Sequence, residues 1–374
     1  METAEHVLPA HPDKLCDAAV DAIVDYVRRG SRAAPAVAAE YCAGDPDGQC
    51  GLEAAAVFGS FYLTGRIAAR EELLLQMDIQ ELVRETYRSA GYGFDAAGYD
   101  WKPGPKALGI LANLCFGPFA EGERELRHLA DDQAICVGYA NALQETNHLP
   151  PAHWLARKIA RQLYDLRKEK GAGQVGPDAK VIVRVESDGT NWQPLHVSIS
   201  LNHHQGSDWL LRREIAEEAV AQGCGGKPTP ALELNGAGMF VCGGPNGDNG
   251  LSGKKLVVDA YGPTVPIGGG AWSGKDLHKV DRLGGLLARK LAKLAIGKNL
   301  GREALVTLEY IPGCERPVAV DLRVDGKIWP GDALEVLGDP VVDNQSVWKG
   351  YVEAEIDLPA LARWGHQAPG MPWE

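Results

Sequence analysis

Apolar residues recur at helical spacing in three well-separated stretches, and each stretch is followed by a segment that reads as strand. The first stripe is Leu15, Ala19, Ala22, Ile23, Tyr26 and Val27, the second Leu155, Ile159, Leu163 and Leu166, the third Val280, Leu283, Leu287 and Leu291. The strand-like partners are an alternating pair over 54–67, then Val181-Ile182-Val183-Arg184-Val185, then Ala304 to Tyr310. The round repeats at intervals of about 130 residues with negligible identity between rounds. This recurrence predicts an α+β protein of three similar subdomains, each a sheet with helices on one face. The expected divisions are 1–122, 123–243 and 244–374.

Local grammar adds detail. Pro12 suits the first turn of the first helix and Gly30 its C-terminal cap. Asp13 and Asp17 favour the positive helix end, whereas Lys14 opposes it, an objection that an anionic ligand would reverse. Residues 31–52 are rich in turn formers and read as a loop or insertion. A helix is expected over 79–89 and an irregular, mobile loop over 102–127, where Pro103, Pro105 and Pro118 interrupt the pattern. Leu256 to Tyr261 alternates as a short strand would.

Composition narrows the class. At 374 residues the chain exceeds one ordinary core. An apolar content of 45% and a charged content of 24% are those of a soluble globular protein. A net charge of −12 argues against a nucleic-acid partner, which needs a basic face. The 8 cysteines show no C-x-x-C spacing and read as buried free thiols in a reducing compartment. No apolar run approaches a membrane span and no signal pattern opens the chain, so a cytoplasmic location is expected.

The candidate chemistry centres on Gly268-Gly269-Gly270-Ala271-Trp272-Ser273-Gly274-Lys275-Asp276, which runs on to Lys279 and Asp281. Glycines allow close backbone approach to a ligand, and the following helix start favours phosphate. The aspartates would suit a divalent cation bridging to that phosphate; a glycine-rich turn before a solvated helix start is the plainer alternative. Gly269 to Lys275 fits G-x-x-x-x-G-K, but Asp276 replaces the Ser or Thr of a P-loop, and the preceding segment holds two prolines. A second glycine-rich stretch, Gly243-Gly244-Pro245-Asn246-Gly247-Asp248 on to Lys254-Lys255, reads as a turn-rich loop or as a lysine pair facing phosphate.

Taken together, His11-Pro12-Asp13-Lys14, Pro177-Asp178-Ala179-Lys180, the 243–255 stretch, the 268–276 stretch and a final Pro372-Trp373-Glu374 resemble the S-adenosylmethionine synthetase family, in that family's order and over nearly the whole chain. The resemblance implies pseudo-threefold symmetry and a homodimer, or a dimer of dimers, with the active site between subunits. It implies ATP and, by default, methionine as substrates: sulfur attacks the ribose C5′, and the released tripolyphosphate is hydrolysed. Motif by motif, it gives His11, Lys180, Lys275 and Lys279 catalytic roles. Asp178, Lys180, Phe240, Asp248, Lys254, Lys255, Ala271 and Lys275 would join His11 around ATP. Asp13 and Asp281 would hold two Mg²⁺ ions and Glu53 a K⁺ ion, while Arg66, Asp132, Asp248 and Lys279 would lie near the acceptor.

The departures concentrate at the acceptor. Gly65-Arg66-Ile67 stands where the family has Gly-Glu-Ile, its glutamate meeting the methionine ammonium. No counterpart of the family's loop Gln-Ser pair occurs in 106–122. Leu129 to Ala134 replaces Gly-Ala-Gly-Asp-Gln-Gly, Met239 replaces an arginine of the nucleotide site, and Lys254 stands where Arg is usual. Three readings follow: adenosyl transfer to methionine, adenosyl transfer to another acceptor, or a weakly catalytic nucleotide-binding regulatory homologue.

Overall fold

Strand alternation and helix stripes assemble into three four-stranded sheets, each with helices on one face. The computed structural model describes residues 1–30 and 43–374. The chain begins with β1 (Glu2–Val7), α1 (Pro12–Arg29), β2 (Gln49–Val57), β3 (Ser60–Ala68), α2 (Ile79–Ala90), β4 (Gly109–Gly117) and β5 (Ala134–Asn141). It continues with α3 (Pro151–Lys170), β6 (Val175–Ser187), β7 (Trp192–His203), α4 (Trp209–Cys224) and β8 (Ala231–Leu234). The last third holds β9 (Gly250–Leu251), α5 (Leu256–Asp259), α6 (Val280–Gly297), β10 (Glu303–Tyr310), β11 (Ala319–Val324) and β12 (Lys327–Ile328).

The sheet orders are β9-β2-β3-β4, β1-β6-β7-β8 and β12-β11-β10-β5. Each sheet therefore takes one strand from another third of the chain. Strand β1 crosses to the sheet of 175–234, β5 to that of 303–328, and β9 to that of 49–117. This cyclic exchange stitches the three sheets together. Helix α1 covers the first sheet with α2 packed beside it, Tyr87 of α2 edge-on to Phe61 of β3; α3 and α4 cover the second sheet and α6 the third.

The helices form where the stripes predict them. In α1, Leu15, Ala19, Ile23 and Val27 are buried; Pro12 opens the helix, and Gly30, at φ 79°, closes it by donating its N–H to the Tyr26 carbonyl. The α3 and α6 stripes are buried throughout. Each such leucine or isoleucine contributes about 1.5–3 kcal/mol on leaving water, so these stripes fix which helix face meets its sheet. The closing Trp373 is buried, and the Glu374 side chain pairs with Arg289 and Lys293 of α6.

Two segments depart from expectation. Within 102–127, expected to be irregular, Gly109–Gly117 forms β4 and pairs in parallel with β3 from Ser60↔Gly109 to Ala68↔Gly117. A parallel partner lies far away in sequence, so nothing local announces it. Leu256 to Asp259, expected as strand, is a single helical turn. Over so few residues alternation does not separate strand from turn, and burial of Val258 and Asp259 selects the turn. Residues 31–42 of the expected 31–52 loop lie outside the described residues, while 49–52 already belong to β2.

Cys16, Cys50, Cys136 and Cys224 are buried free thiols; Cys115 and Cys242 are exposed, Cys314 is half-buried, and Cys42 lies outside the described residues. Burial pushes the Cys136 thiol up to about 12, which leaves it inert as a nucleophile. No helix among the described residues is long and apolar enough to cross a membrane.

Candidate active site

Helix α1 organises the site. Asp13, Asp17 and Asp21 recur every four residues and so share one helix face. Each accepts a backbone N–H: Asp13 from Leu251 at 3.0 Å, Asp17 from Gly253 at 2.8 Å, Asp21 from Gly274 at 2.8 Å. Both glycine–lysine loops therefore hang on a single helix. Gly274 has φ 86°, and a Cβ there would stand 2.2 Å from the Leu52 carbonyl oxygen, so only glycine fits. Ala271 closes the two loops on each other, lying against Gly253.

Behind the loops lies a fully buried ion pair. Asp21 receives both terminal nitrogens of Arg282, each at 2.8 Å, and Arg282 also donates to the Lys275 carbonyl at 2.8 Å and meets His366 Nε2 at 3.1 Å. Lys14 is not free for an anionic ligand as its position suggested. Its ammonium is buried between Asp17, at 3.1 Å, and Asp259. Burial alone would lower its pKa, yet those two carboxylates hold it above the ordinary lysine value. Asp276 is likewise structural. Its carboxylate takes the Cys50 and His278 N–H groups and the Arg127 guanidinium, which outweigh burial and hold it below the usual range.

A cavity of about 380 Å³ gathers His11, Asp178, Lys180, Phe240 and Asp248, together with Asn235 and Met239. Beside it, Glu5 receives Lys180 at 3.1 Å and Lys255 at 3.3 Å; burial raises its pKa, but the two ammoniums bring it below the normal range. Asp13 has Lys254 and Lys255 each 3.7 Å away. His11 is the N-cap of α1: its Nδ1 accepts the Asp13 N–H at 3.3 Å, which places the ring proton on Nε2. Burial, with help from Lys255 and Lys180, pushes its pKa down to about 4, so the ring is neutral at pH 7.

Asp178 accepts the Gly244 N–H at 2.8 Å and is pushed up to about 7, chiefly by burial. In the unfolded chain it titrates near the ordinary value of about 3.9. Between those values the native state binds the extra proton, so stability falls as pH rises through the interval. Asp178→Asn is expected to raise the melting temperature by an increment that grows from pH 4 to about pH 7 and then levels off. A melting series across pH 4–9 checks this, and a pH-independent increment contradicts it.

A second cavity, of about 400 Å³, is lined by Gly51, Leu52, Glu53, Thr64, Gly65, Asp131, Asp132, Lys275, Lys279, Val280 and Asp281. Lys275 pairs with Asp281 and Lys279 with Asp131. A Cβ on Gly270 would stand 2.1 Å from the Asp281 carboxylate carbon, so the glycine leaves that acid its space. Arg66, beside Gly65, donates to Glu123 at 2.6 Å. The sequence-predicted residues thus divide between two cavities with no lining residue in common. Asp13, Lys254 and Lys255 join the first through Glu5 and His11.

The sequence assigns no site role to Glu5, Asp131, Asp17 or Asp21. The four-residue spacing of the aspartates was a legible signal of a shared face. Glu5 and Asp131 carried none, because their lysine partners are remote in sequence.

Fold and site together define an α+β protein that brings lysine–carboxylate clusters, a neutral histidine and glycine-rich backbone to two cavities. Residues 127–233 match the model of the S-adenosylmethionine synthetase central domain and 242–343 that of its C-terminal domain. The S-adenosylmethionine synthase of Methylobacterium nodulans is 35% identical over 350 residues, covering 90% of this chain and 84% of that protein. Those of Thermus thermophilus and Brachyspira hyodysenteriae are 32% and 31% identical, each covering 100% of this chain and 95% of the relative. The chain belongs to the S-adenosylmethionine synthetase family.

Proposed function

We propose that the protein is a methionine adenosyltransferase, joining ATP and methionine into S-adenosylmethionine with release of phosphate and pyrophosphate. The observation that carries this reading is the convergence of His11, Asp178, Lys180 and Asp248 on one cavity, with Lys254 and Lys255 alongside, in a chain of this family. Displacing a triphosphate requires its charge to be held before and after departure. Lys180 and Lys255 now share Glu5, and incoming phosphate oxygens would take over part of that pairing. Lys275, tied to Asp281, would add a further cation from the second cavity. The Nε2–H of His11 would donate to the departing oxygen.

Among the described residues no three His, Cys, Asp or Glu side chains converge as a metal cage. Single carboxylates beside lysines, Asp13 and Asp281, are instead the donor set for Mg²⁺ shared with substrate phosphates. They fit that role, and Glu53 fits a monovalent cation. Mg²⁺ bound there would neutralise phosphate charge during transfer. Because the predicted residues fall in two separate cavities, we assign the complete site to two copies of the chain. The exposed outer face of the first sheet, with Tyr62 and Leu111, supplies apolar contact area. Each copy would comprise subdomains 1–122, 123–243 and 244–374.

The test is to incubate the purified protein with ATP, methionine and Mg²⁺ and to assign products by mass. S-adenosylmethionine, pyrophosphate and phosphate in equal amounts are expected, and chelation of Mg²⁺ should abolish all three. ATP consumed without an adenosylated product would overturn the reading.

A further inference from the structure

The second cavity holds two closed ion pairs, Lys275–Asp281 and Lys279–Asp131. Beyond these, Asp132 lines the wall with no cationic side chain paired to it among the described residues. Arg66 belongs to the same neighbourhood. Strand register sets it opposite Gly51, and opposite residues of an antiparallel pair share a sheet face. On that face Gly51 meets Lys279, whose Cε is 3.3 Å from where a Cβ would stand. The Arg66 side chain thus leaves the sheet on the face that carries this cavity, whose wall holds an unpaired carboxylate.

We propose that Arg66 is a specificity-determining residue that grips the α-carboxylate of a zwitterionic amino-acid acceptor, with Glu123 holding its place while the acceptor is absent. This rests on the adenosyltransferase reading. The acids Asp131 and Asp132 in the wall disfavour an acceptor that is only anionic, whereas a zwitterion can offer its ammonium to Asp132 and its carboxylate to Arg66. The exchange leaves no buried orphan. The Arg66 and Glu123 side chains are 40% and 25% exposed, and the Glu123 oxygen that Arg66 releases still accepts the Ala120 N–H at 3.0 Å. A guanidinium suits the task because its planar fork meets a carboxylate through two parallel hydrogen bonds.

The experiment compares L-methionine with L-methioninamide, which lacks the carboxylate, as acceptors for the full-length wild type, Arg66→Gln and Glu123→Gln. The wild type should prefer methionine. Arg66→Gln should raise the methionine KM by about thirtyfold or more, erase the preference over the amide, and leave the ATP KM and the melting temperature near wild type. Glu123→Gln should lower the methionine KM, because the guanidinium no longer has a competing partner. An active Arg66→Gln variant with wild-type methionine KM and preference overturns the inference and leaves the adenosyltransferase reading intact. A wild type that adenosylates neither compound overturns both.

Discussion

Asp21→Ala is expected to destabilise the protein by about 3–5 kcal/mol, the usual cost of leaving one partner of a buried ion pair alone. Asp21 and Arg282 are both fully buried, with two hydrogen bonds of 2.8 Å between them. Removing the carboxylate leaves a guanidinium in the interior beside His366, and a guanidinium cannot shed its proton to escape. Burial holds His366 well below the ordinary histidine pKa, so the ring beside the cation is neutral and brings no compensating charge. The loss is large against a typical stability of about 5–15 kcal/mol. Thermal melting should show it directly. Asp21 also fixes Gly274, the residue before Lys275, through the 2.8 Å bond from its N–H. An Asp21→Leu/Arg282→Met double variant should therefore recover much of the stability but not the placement of Lys275. Its ATP KM should stay raised although its melting temperature is restored. Recovery of both together would show that the pair serves stability alone.

His11→Ala is expected to slow adenosyl transfer by about 10²–10³-fold, the effect of removing one well-placed donor from a developing oxyanion. The ring has two jobs on two nitrogens. Nδ1 caps α1 by accepting the Asp13 N–H, and Nε2–H is left to donate toward the cavity that also holds Asp178, Lys180 and Asp248. Loss of the cap alone costs about 0.5–2 kcal/mol of stability. His11→Ser separates the jobs, because a serine hydroxyl caps a helix but is too short to reach the cavity as imidazole does. The serine variant should melt near wild type while losing as much adenosyl transfer as alanine. Hydrolysis of added tripolyphosphate should fall far less in both variants, since no C–O bond to ribose breaks in that reaction. Equal losses in the two half-reactions would move His11 from the leaving oxygen to general phosphate binding.

Much of the architecture is written locally. The stripes of α1, α3 and α6 carry their own period, Pro12 and Gly30 mark the ends of α1, and glycine positions such as Gly274 are set by backbone needs that no other residue meets. The residue types for polyphosphate chemistry also stand in short, ordered motifs. Local windows misread two segments. Strand β4 takes its hydrogen bonds from β3, far upstream, and α5 is selected by which of its side chains must be buried.

Long-range pairing decided the rest. Strands β1, β5 and β9 each join a sheet from another third of the chain, and edge pairing of that kind leaves no periodic trace in sequence. The charges show the same limit. Sequence presented Lys14, Asp276 and Arg66 as groups in need of ligands, and the fold answered two of them internally, with Asp17 and Asp259 for Lys14 and Arg127 for Asp276. Arg66 found Glu123 at a half-open surface, where a ligand can still compete. A charge is visible in sequence, but its partner is fixed by where distant elements meet, and burial there determines whether it serves structure or chemistry.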